Sequence, residues 1–376
     1  MKTETKCIHS GKFTDTITGG LNTPIFPSSA NEYLDREEPV YPRYFNTLNQ
    51  KVLVRKICEL EGAQDGLVFS SGMAAISAVL LSFLKTGDHA VLQDEIYGGS
   101  HAFVDTFFDR LGISYTYVAN EVEAIKSAIK PETRLIFIET PTNPLLSIID
   151  IRAVAKAARQ KGIVSVMDNT FATPILQNPL GHGIDIVVHS GTKYLGGHSD
   201  LSCGAAVTSF ELTSRIRKTA FNFGGNLNPL TCYLLERSLM TLAIRVRQQG
   251  ENAFEMAKFL DGQPVFGKVY YPGLPDHPGH QIACQQMLGF GAMVSFELDH
   301  PDQSADHFMK KLKLIKPAVS LGGVETTICD PVRTSHAKVA AEVRNRQGIT
   351  DNLLRLSVGI ENIDDLVEDV KQAAGI

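Results

Sequence analysis

The chain has 376 residues, 43% of them apolar and 20% charged, the balance of an ordinary folded protein and not of a disordered or membrane one. At a prior of roughly 150 residues per domain, its length suggests two or three domains around a sizeable core. A formal net charge of -5, with no cluster of Lys and Arg, gives no electrostatic case for nucleic acid. No apolar run approaches the ~18–20 residues needed to span a bilayer. The N-terminus "MKTETKCIHSGK" lacks the apolar centre of a signal peptide, so the expected location is the cytoplasm. Cys7, Cys58, Cys203, Cys232, Cys284 and Cys329 form no C-x-x-C pair, which fits reduced, packed thiols and neither a zinc site nor a disulfide frame.

Residues 1 to about 50 are rich in Thr, Pro and Tyr and poor in periodicity; they read as an irregular arm that packs on something else, another subunit among the candidates. From about 66 to 210, short apolar runs alternate with amphipathic segments, the pattern of a mainly parallel sheet with helices on its faces. "GLVF" is a strand that runs through "SSG" into a helix, "MAAISAVLLSFLKTG", with Ile76, Val79, Leu80 and Phe83 at helical spacing and Gly87 as its end. "HAVLQD" and "ISYTYV" follow as strands. "RLIFIETPTNP" is a strand stopped by prolines, "DIRAVAKAARQKG" a helix, and "IVSVMDNT" a further strand before "DIVVHSGTKYLGGHSD". A helical stretch, "PLTCYLLERSLMTLAIRVRQQGENAFEMAKFL", and the loop "YYPGLPDHPGHQ" introduce a second domain, with a strand at "GAMVSFEL" and a terminal helix at "ENIDDLVEDVKQAAGI".

Open sheets of this kind collect ligands outside the carboxyl ends of their strands. Five such ends carry polar residues: Ser70 to Gly72, Asp94 to Tyr97, Glu139 to Asn143, Asp168 to Thr170 and Ser190 to Lys193. Lys193 therefore has three readings. A solvated loop lysine is the default. A Ser-x-x-Lys hydrolase pair fits "SGTK", but the Lys-Thr-Gly element at Lys85 to Gly87 precedes it instead of following, and no Ser-Asp-Asn lies between. The third reading is a lysine that forms a Schiff base with an aldehyde cofactor.

That third reading makes demands elsewhere, and they are met. Pyridoxal phosphate needs an anion cradle, and "SSGM" (Ser71, Gly72, Met73) offers backbone N–H groups at a helix start, with hydroxyls of Ser190 and Thr192 to add donors. Its pyridine nitrogen needs a carboxylate, and Asp168 ends a strand where one is wanted. Tyr97 offers an aromatic face for the ring.

With these residues the chain resembles the cysteine/methionine-metabolism (trans-sulfuration) family of pyridoxal-phosphate enzymes, which includes cystathionine lyases and synthases and methionine gamma-lyase. The motifs "SSGMAA", "YGGS", "ETPTNP", "DNTF", "HSGTKYLGGHSD", "SLGGVET" and "LRLSVGIE" carry the resemblance over essentially the whole chain. It implies an α/β protein of the aspartate aminotransferase-like fold, fold type I, with a mainly parallel seven-stranded sheet in a large domain (51–237), a smaller α+β domain (238–376) and the arm (1–50). It further implies that Lys193 carries the cofactor and then serves as the base that removes the alpha proton, with Tyr97 as a second catalytic residue stacked on the ring. Asp168 would hold the ring nitrogen, and Thr170 would belong to the same cofactor shell. Asn143, Ser320 and Arg355 would bind substrate, Arg355 as the carboxylate clamp, while Glu139 is as well explained by a structural hydrogen bond. Tyr41 and Arg43 match a Tyr-x-Arg element that reaches a neighbouring subunit's phosphate, which implies a dimer with shared sites, doubled into a tetramer. Asn46-Thr47-Leu48 departs from the Asn-Pro-Thr of many relatives, which leaves the path of the arm open.

The resemblance implies a carbon–sulfur lyase acting at the gamma or beta carbon of a small sulfur amino acid such as cystathionine or homocysteine. Gamma-replacement by a cystathionine gamma-synthase or O-acylhomoserine sulfhydrylase is the second reading, and a cofactor-binding pseudoenzyme the third. Gly99 stands where methionine gamma-lyases have cysteine, and Val319 where several gamma-synthases and gamma-lyases have glutamate.

Overall fold

A computed structural model describes residues 1–300, 303–337 and 339–376. Seven strands form one sheet: β1 (Asp65–Phe69), β2 (His89–Gln93), β3 (Ser114–Val118), β4 (Thr133–Glu139), β5 (Val164–Asp168), β6 (Ile186–Ser190) and β7 (Gly204–Thr208). Their spatial order is β1-β7-β6-β5-β4-β2-β3. Four pairings are parallel, joining β2 to β3 and to β4, β4 to β5, and β5 to β6, while β7 runs antiparallel to both β1 and β6. β1, β2, β4, β5 and β6 therefore end on the same side of the sheet. A second sheet, ordered β10-β11-β12-β9-β8, is built from β8 (Phe266–Tyr270), β9 (Met293–Leu298), β10 (Lys316–Pro317), β11 (Thr327–Cys329) and β12 (Leu353–Ser357). Among the described residues no helix is long and apolar enough to cross a membrane.

Three sequence expectations need adjustment. The helix after β1 runs Gly72–Phe83 and stops short of Gly87. Asp88 accepts the Lys85 N–H at 3.0 Å and folds the chain into a turn, in which Gly87 takes φ +89°. The long helical stretch is two helices, Pro229–Leu239 and Leu242–Asp261. Arg245, 4% exposed, breaks it: its guanidinium donates to the Ser238 carbonyl at 3.0 Å, taking an acceptor that a continuous helix would use. The first 50 residues are not wholly irregular, since Thr3–His9 is a helix with Cys7 buried. At the departure from the family pattern, Thr47 is the N-cap of helix Leu48–Glu61, and its N–H donates to Gln50 Oε1 at 3.1 Å. Between these helices the arm is open, with Ile17 92% and Leu34 72% exposed.

Strand alternation gives β5 and β6 two jobs. Val166 and Asp168, with Ile186, Val188 and Ser190, share one face; Met167 and Val187 face the other core. On that second side a buried polar cluster closes the strand ends. Glu61 accepts from Asn169 Nδ2 at 2.8 Å and meets His189 Nε2 at 2.6 Å, and Asn169 also donates to the Gln177 carbonyl at 2.9 Å. Each of these four side chains is 1% exposed or less. Glu61→Ala leaves two interior donors without an acceptor, so denaturant unfolding should show a loss of about 3 kcal/mol.

Candidate active site

A cavity of ≈ 480 Å³ opens where the carboxyl ends of the first sheet meet the second. It is lined by Ser71, Gly72, Met73, Tyr97, Glu139, Asn143, Asp168, Thr170, Ser190, Thr192, Lys193, Ser320 and Arg355. All of these are positions the sequence singles out. Tyr41 and Arg43 are not among its lining residues: Arg43 donates to the Phe221 carbonyl at 3.2 Å and lies over the Phe221 ring, 4.8 Å from its centre.

The helix Gly72–Phe83 points its N-terminus at the cavity. Ser71 caps it, accepting from the Ala74 N–H at 3.0 Å. Gly72 is required by contact, because a Cβ there would lie 2.8 Å from Ser190 Cβ. The helix start and the end of β6 thus press together, and bring free backbone donors next to the Ser190 side chain. Thr192 is differently engaged from the expectation of a free donor, since its hydroxyl donates to the Cys203 carbonyl at 3.2 Å and accepts the Cys203 N–H at 3.1 Å.

Asp168 ends β5 and is 7% exposed. Thr170 donates its hydroxyl to Asp168 Oδ1 at 2.5 Å and accepts the Ser190 N–H at 2.8 Å, so it fixes the carboxylate to the neighbouring strand. Burial raises the Asp168 pKa, and the Thr170 donors oppose the rise. Glu139, its register partner on β4, accepts the Tyr97 N–H at 2.9 Å. Burial first and then the charge of Asp168 push the Glu139 carboxyl well above its ordinary range. Glu139 thereby anchors the backbone of Tyr97, whose side chain remains 40% exposed.

Lys193 follows β6 on a tight turn. Its Nζ donates to Ser320 Oγ at 2.7 Å. Burial, helped by the positive charge of Arg355, lowers its pKa to about 8. Arg355, on β12 and 4% exposed, donates from Nη1 to Asn143 Oδ1 at 2.6 Å. Its Nε is buried without an acceptor. A guanidinium with a spare interior donor is prepared for a carboxylate.

Phe171, Leu321, Arg333, Thr334 and Ser335 also line the cavity without having been selected from the sequence. Phe171 was readable as part of "DNTF". Arg333 to Ser335 had no signal, as they sit in a loop between β11 and β12 with neither motif nor periodicity. Arg333 is ion-paired to Asp306 and Asp330. Among the described residues no cluster of His, Cys, Asp and Glu could hold a metal. Cys7, Cys58, Cys203, Cys232 and Cys329 are buried free thiols, and Cys284 is an exposed one.

The donor set fits pyridoxal phosphate: backbone N–H groups at a helix start for the phosphate, a buried carboxylate for the ring nitrogen, and a lysine near neutrality for the aldehyde. An α/β fold with this cavity defines the class as a pyridoxal-phosphate enzyme of fold type I. The family of Cys/Met metabolism PLP-dependent enzymes matches residues 4–374. The chain is 43% identical to the cystathionine gamma-lyase of Bacillus subtilis (strain 168) over 377 residues, 99% of each chain. It is 43% identical over 374 residues to the cystathionine beta-lyase of Lactococcus lactis subsp. cremoris (strain MG1363), 98% of each. The crystal structure of cystathionine gamma-synthase from Xanthomonas oryzae pv. oryzae in complex with cystathionine superposes with a TM-score of 0.96 at 38% identity, covering 100% of this chain and 98% of that one. The protein belongs to the Cys/Met metabolism family of PLP-dependent enzymes.

A lysine amine of pKa about 8 is roughly a tenth neutral one unit below that value and nine-tenths neutral one unit above it. Attachment of pyridoxal phosphate to cofactor-free protein requires the neutral amine, so its rate, followed by absorbance, should climb from pH 7 to pH 9 and then level off. A flat profile would show that Lys193 is not the attacking amine.

Proposed function

We propose that the protein is a carbon–sulfur lyase that eliminates at the gamma or beta carbon of cystathionine, homocysteine or a similar amino acid. The observation that carries this reading is the shared cavity in which Lys193, held by Ser320, lies with Asp168 and Arg355. Two of the relatives described above are a cystathionine gamma-lyase and a cystathionine beta-lyase. The likeness to a gamma-synthase keeps gamma-replacement as the second reading. Val319, 73% exposed in the cavity wall, offers no charge to a distal substrate group and favours neither outcome.

Pyridoxal phosphate, when bound, supplies an electron sink for the pair released at the alpha carbon. Arg355 takes the substrate carboxylate with its spare Nε and with the donor now given to Asn143. This orients the alpha C–H towards Lys193. Ser320 steers the Lys193 amine, and burial keeps enough of it neutral to accept the alpha proton at Nζ and return a proton later. Asp168, whose carboxylate Thr170 stabilises by hydrogen bonding, would hold the ring nitrogen in its protonated form. Tyr97 would cover the ring, and its N–H bond to Glu139 sets where it stands.

The same reading places the arm (1–50) against a second subunit, with Tyr41 and Arg43 reaching the neighbour's phosphate in a dimer, doubled to a tetramer. The exposure of Ile17 and Leu34 supports it, as does the separation of Tyr41 and Arg43 from their own chain's cavity. It divides the rest into a large unit (51–237) and a small one (238–376), and it sets the enzyme in the cytoplasm, working on a small sulfur amino acid.

The deciding assay incubates purified enzyme with cystathionine, homocysteine, methionine, cysteine and O-acylated homoserine, with and without an added thiol. Pyruvate marks beta-elimination, 2-oxobutyrate gamma-elimination, and a new thioether gamma-replacement. Lys193→Ala should abolish each of these products while leaving the far-UV spectrum unchanged; activity at the parent level would refute the assignment. Arg355→Ala should reduce kcat/KM by more than roughly 2 kcal/mol in transition-state terms, the scale of a desolvated charge pair. Steady-state kinetics on the best substrate measures it.

A further inference from the structure

The loop that leaves β11 begins beside the clamp, because Cys329 is the register partner of Arg355. Asp330, 6% exposed, ties the loop together: its carboxylate accepts the Val332 N–H at 2.8 Å and Arg333 Nε at 2.7 Å, and its carbonyl accepts the Thr334 hydroxyl at 2.6 Å. The His336 N–H then closes back on the Pro331 carbonyl at 2.9 Å. Thr334 and Ser335 thus become a fixed wall of the cavity.

Two contacts set where that wall stands. Gly98, directly after Tyr97, has no side chain, and a Cβ there would fall 2.3 Å from the Ser335 carbonyl oxygen. The loop backbone is seated on the start of the helix Gly98–Phe107. On the other side, the His336 imidazole is 2% exposed; its Nδ1 is 2.9 Å from Ser335 Oγ, and the backbone of Asn143 and the charge of Arg355 both act on its ring. Asn143 is the residue whose amide oxygen Arg355 holds. Burial, with Arg355, His101 and Arg344 all facing the ring, pulls its pKa down to about 4, so it is a neutral hydrogen-bonding group at physiological pH.

We propose that His336 is a positioning residue for amino-acid binding: it joins the cavity wall at Ser335 to the Asn143–Arg355 pair and so sets the width of the slot that receives the substrate carboxylate. It rests on Arg355 being the clamp. His336 itself touches no substrate. A neutral ring fits this place, since a cation there would repel Arg355 and compete for the carboxylate. Gly98 serves the same spacing from the opposite side.

The test is a titration of the cofactor-loaded enzyme with L-alanine, read as a change in cofactor absorbance, because any amino acid presents the same carboxylate. KM and kcat for L-cystathionine are measured beside it. His336→Phe keeps an aromatic ring of similar bulk and removes the hydrogen bond to Ser335; L-alanine binding should weaken by about tenfold, the scale of one lost hydrogen bond. KM should rise more than kcat falls, with cofactor content and Tm held near the parent values. His336→Gln, which retains an N–H donor, should recover most of the affinity. Gly98→Ala should produce the same weakening, and the double variant His336→Phe/Gly98→Ala less than the product of the two. Unchanged L-alanine affinity in His336→Phe overturns the proposal. A drop in Tm and cofactor content at unchanged KM overturns it too, by marking the ring as packing alone. Failure of the unsubstituted enzyme to cleave cystathionine overturns the lyase reading instead, and the L-alanine titration still decides this one.

Discussion

An alkyl amine is a base and a nucleophile near neutral pH only where its cation is poorly solvated, and the interior placement of Lys193 is the constraint on which this site depends. Charged, Nζ would lie in a half-enclosed cavity with Arg355 for a neighbour. Neutral, it keeps one directed bond to Ser320 Oγ. Ser320 accepts a backbone φ of +78°, unusual for a residue with a side chain, to present that hydroxyl. The turn is held from behind, where the Gly322 N–H donates to Ser357 Oγ at 2.7 Å. Local backbone strain is thus stored beside the lysine and restrained by the second sheet.

Support for the other cavity residues comes from the opposite faces of the same strands. Asp168 and Ser190 look into the cavity, while Asn169 and His189, one residue away in each case, are locked to Glu61 on the far side. A strand end is usually the most mobile part of a sheet. Here each end is pinned by a neighbour of opposite orientation, which keeps the carboxylate and the helix start in register. Glu61 also ends the helix Leu48–Glu61, so the helix that follows the arm is tied directly to the floor of the site.

Much of this was legible in the sequence because strand alternation and short polar motifs are local. β1, β2, β4, β5 and β6 each announce themselves by an apolar run, and the polar residues after them converge as the topology demands. What stayed hidden depends on contacts between distant segments. The break at Met240–Thr241 exists because Arg245 folds back on Ser238 and on the Tyr194 carbonyl, which no helical periodicity encodes. Gly87 looked like a helix end, yet the Asp88 carboxylate captured Lys85 first and ended the helix earlier. Thr192 looked like a free hydroxyl, but the backbone of Cys203 uses both of its hydrogen-bonding roles. The cavity wall at Arg333 to Ser335 belongs to a loop with no pattern of its own, visible only once Asp330 and Gly98 are seen to seat it.

The bond from Arg355 to Asn143 has a consequence for selectivity between free and blocked amino acids. The guanidinium already holds a neutral amide oxygen at 2.6 Å, so a newcomer that uses more than the free Nε must displace an acceptor that is fixed in place and covalently part of the chain. A carboxylate brings a full negative charge and two oxygens, and it outcompetes the amide. An ester, a primary amide or a peptide bond brings only another carbonyl of equal strength, with extra bulk behind it. With Arg355 as the proposed carboxylate clamp, the resident amide would set a threshold that unesterified amino acids cross and that peptides and capped derivatives do not, before any reacting bond is reached.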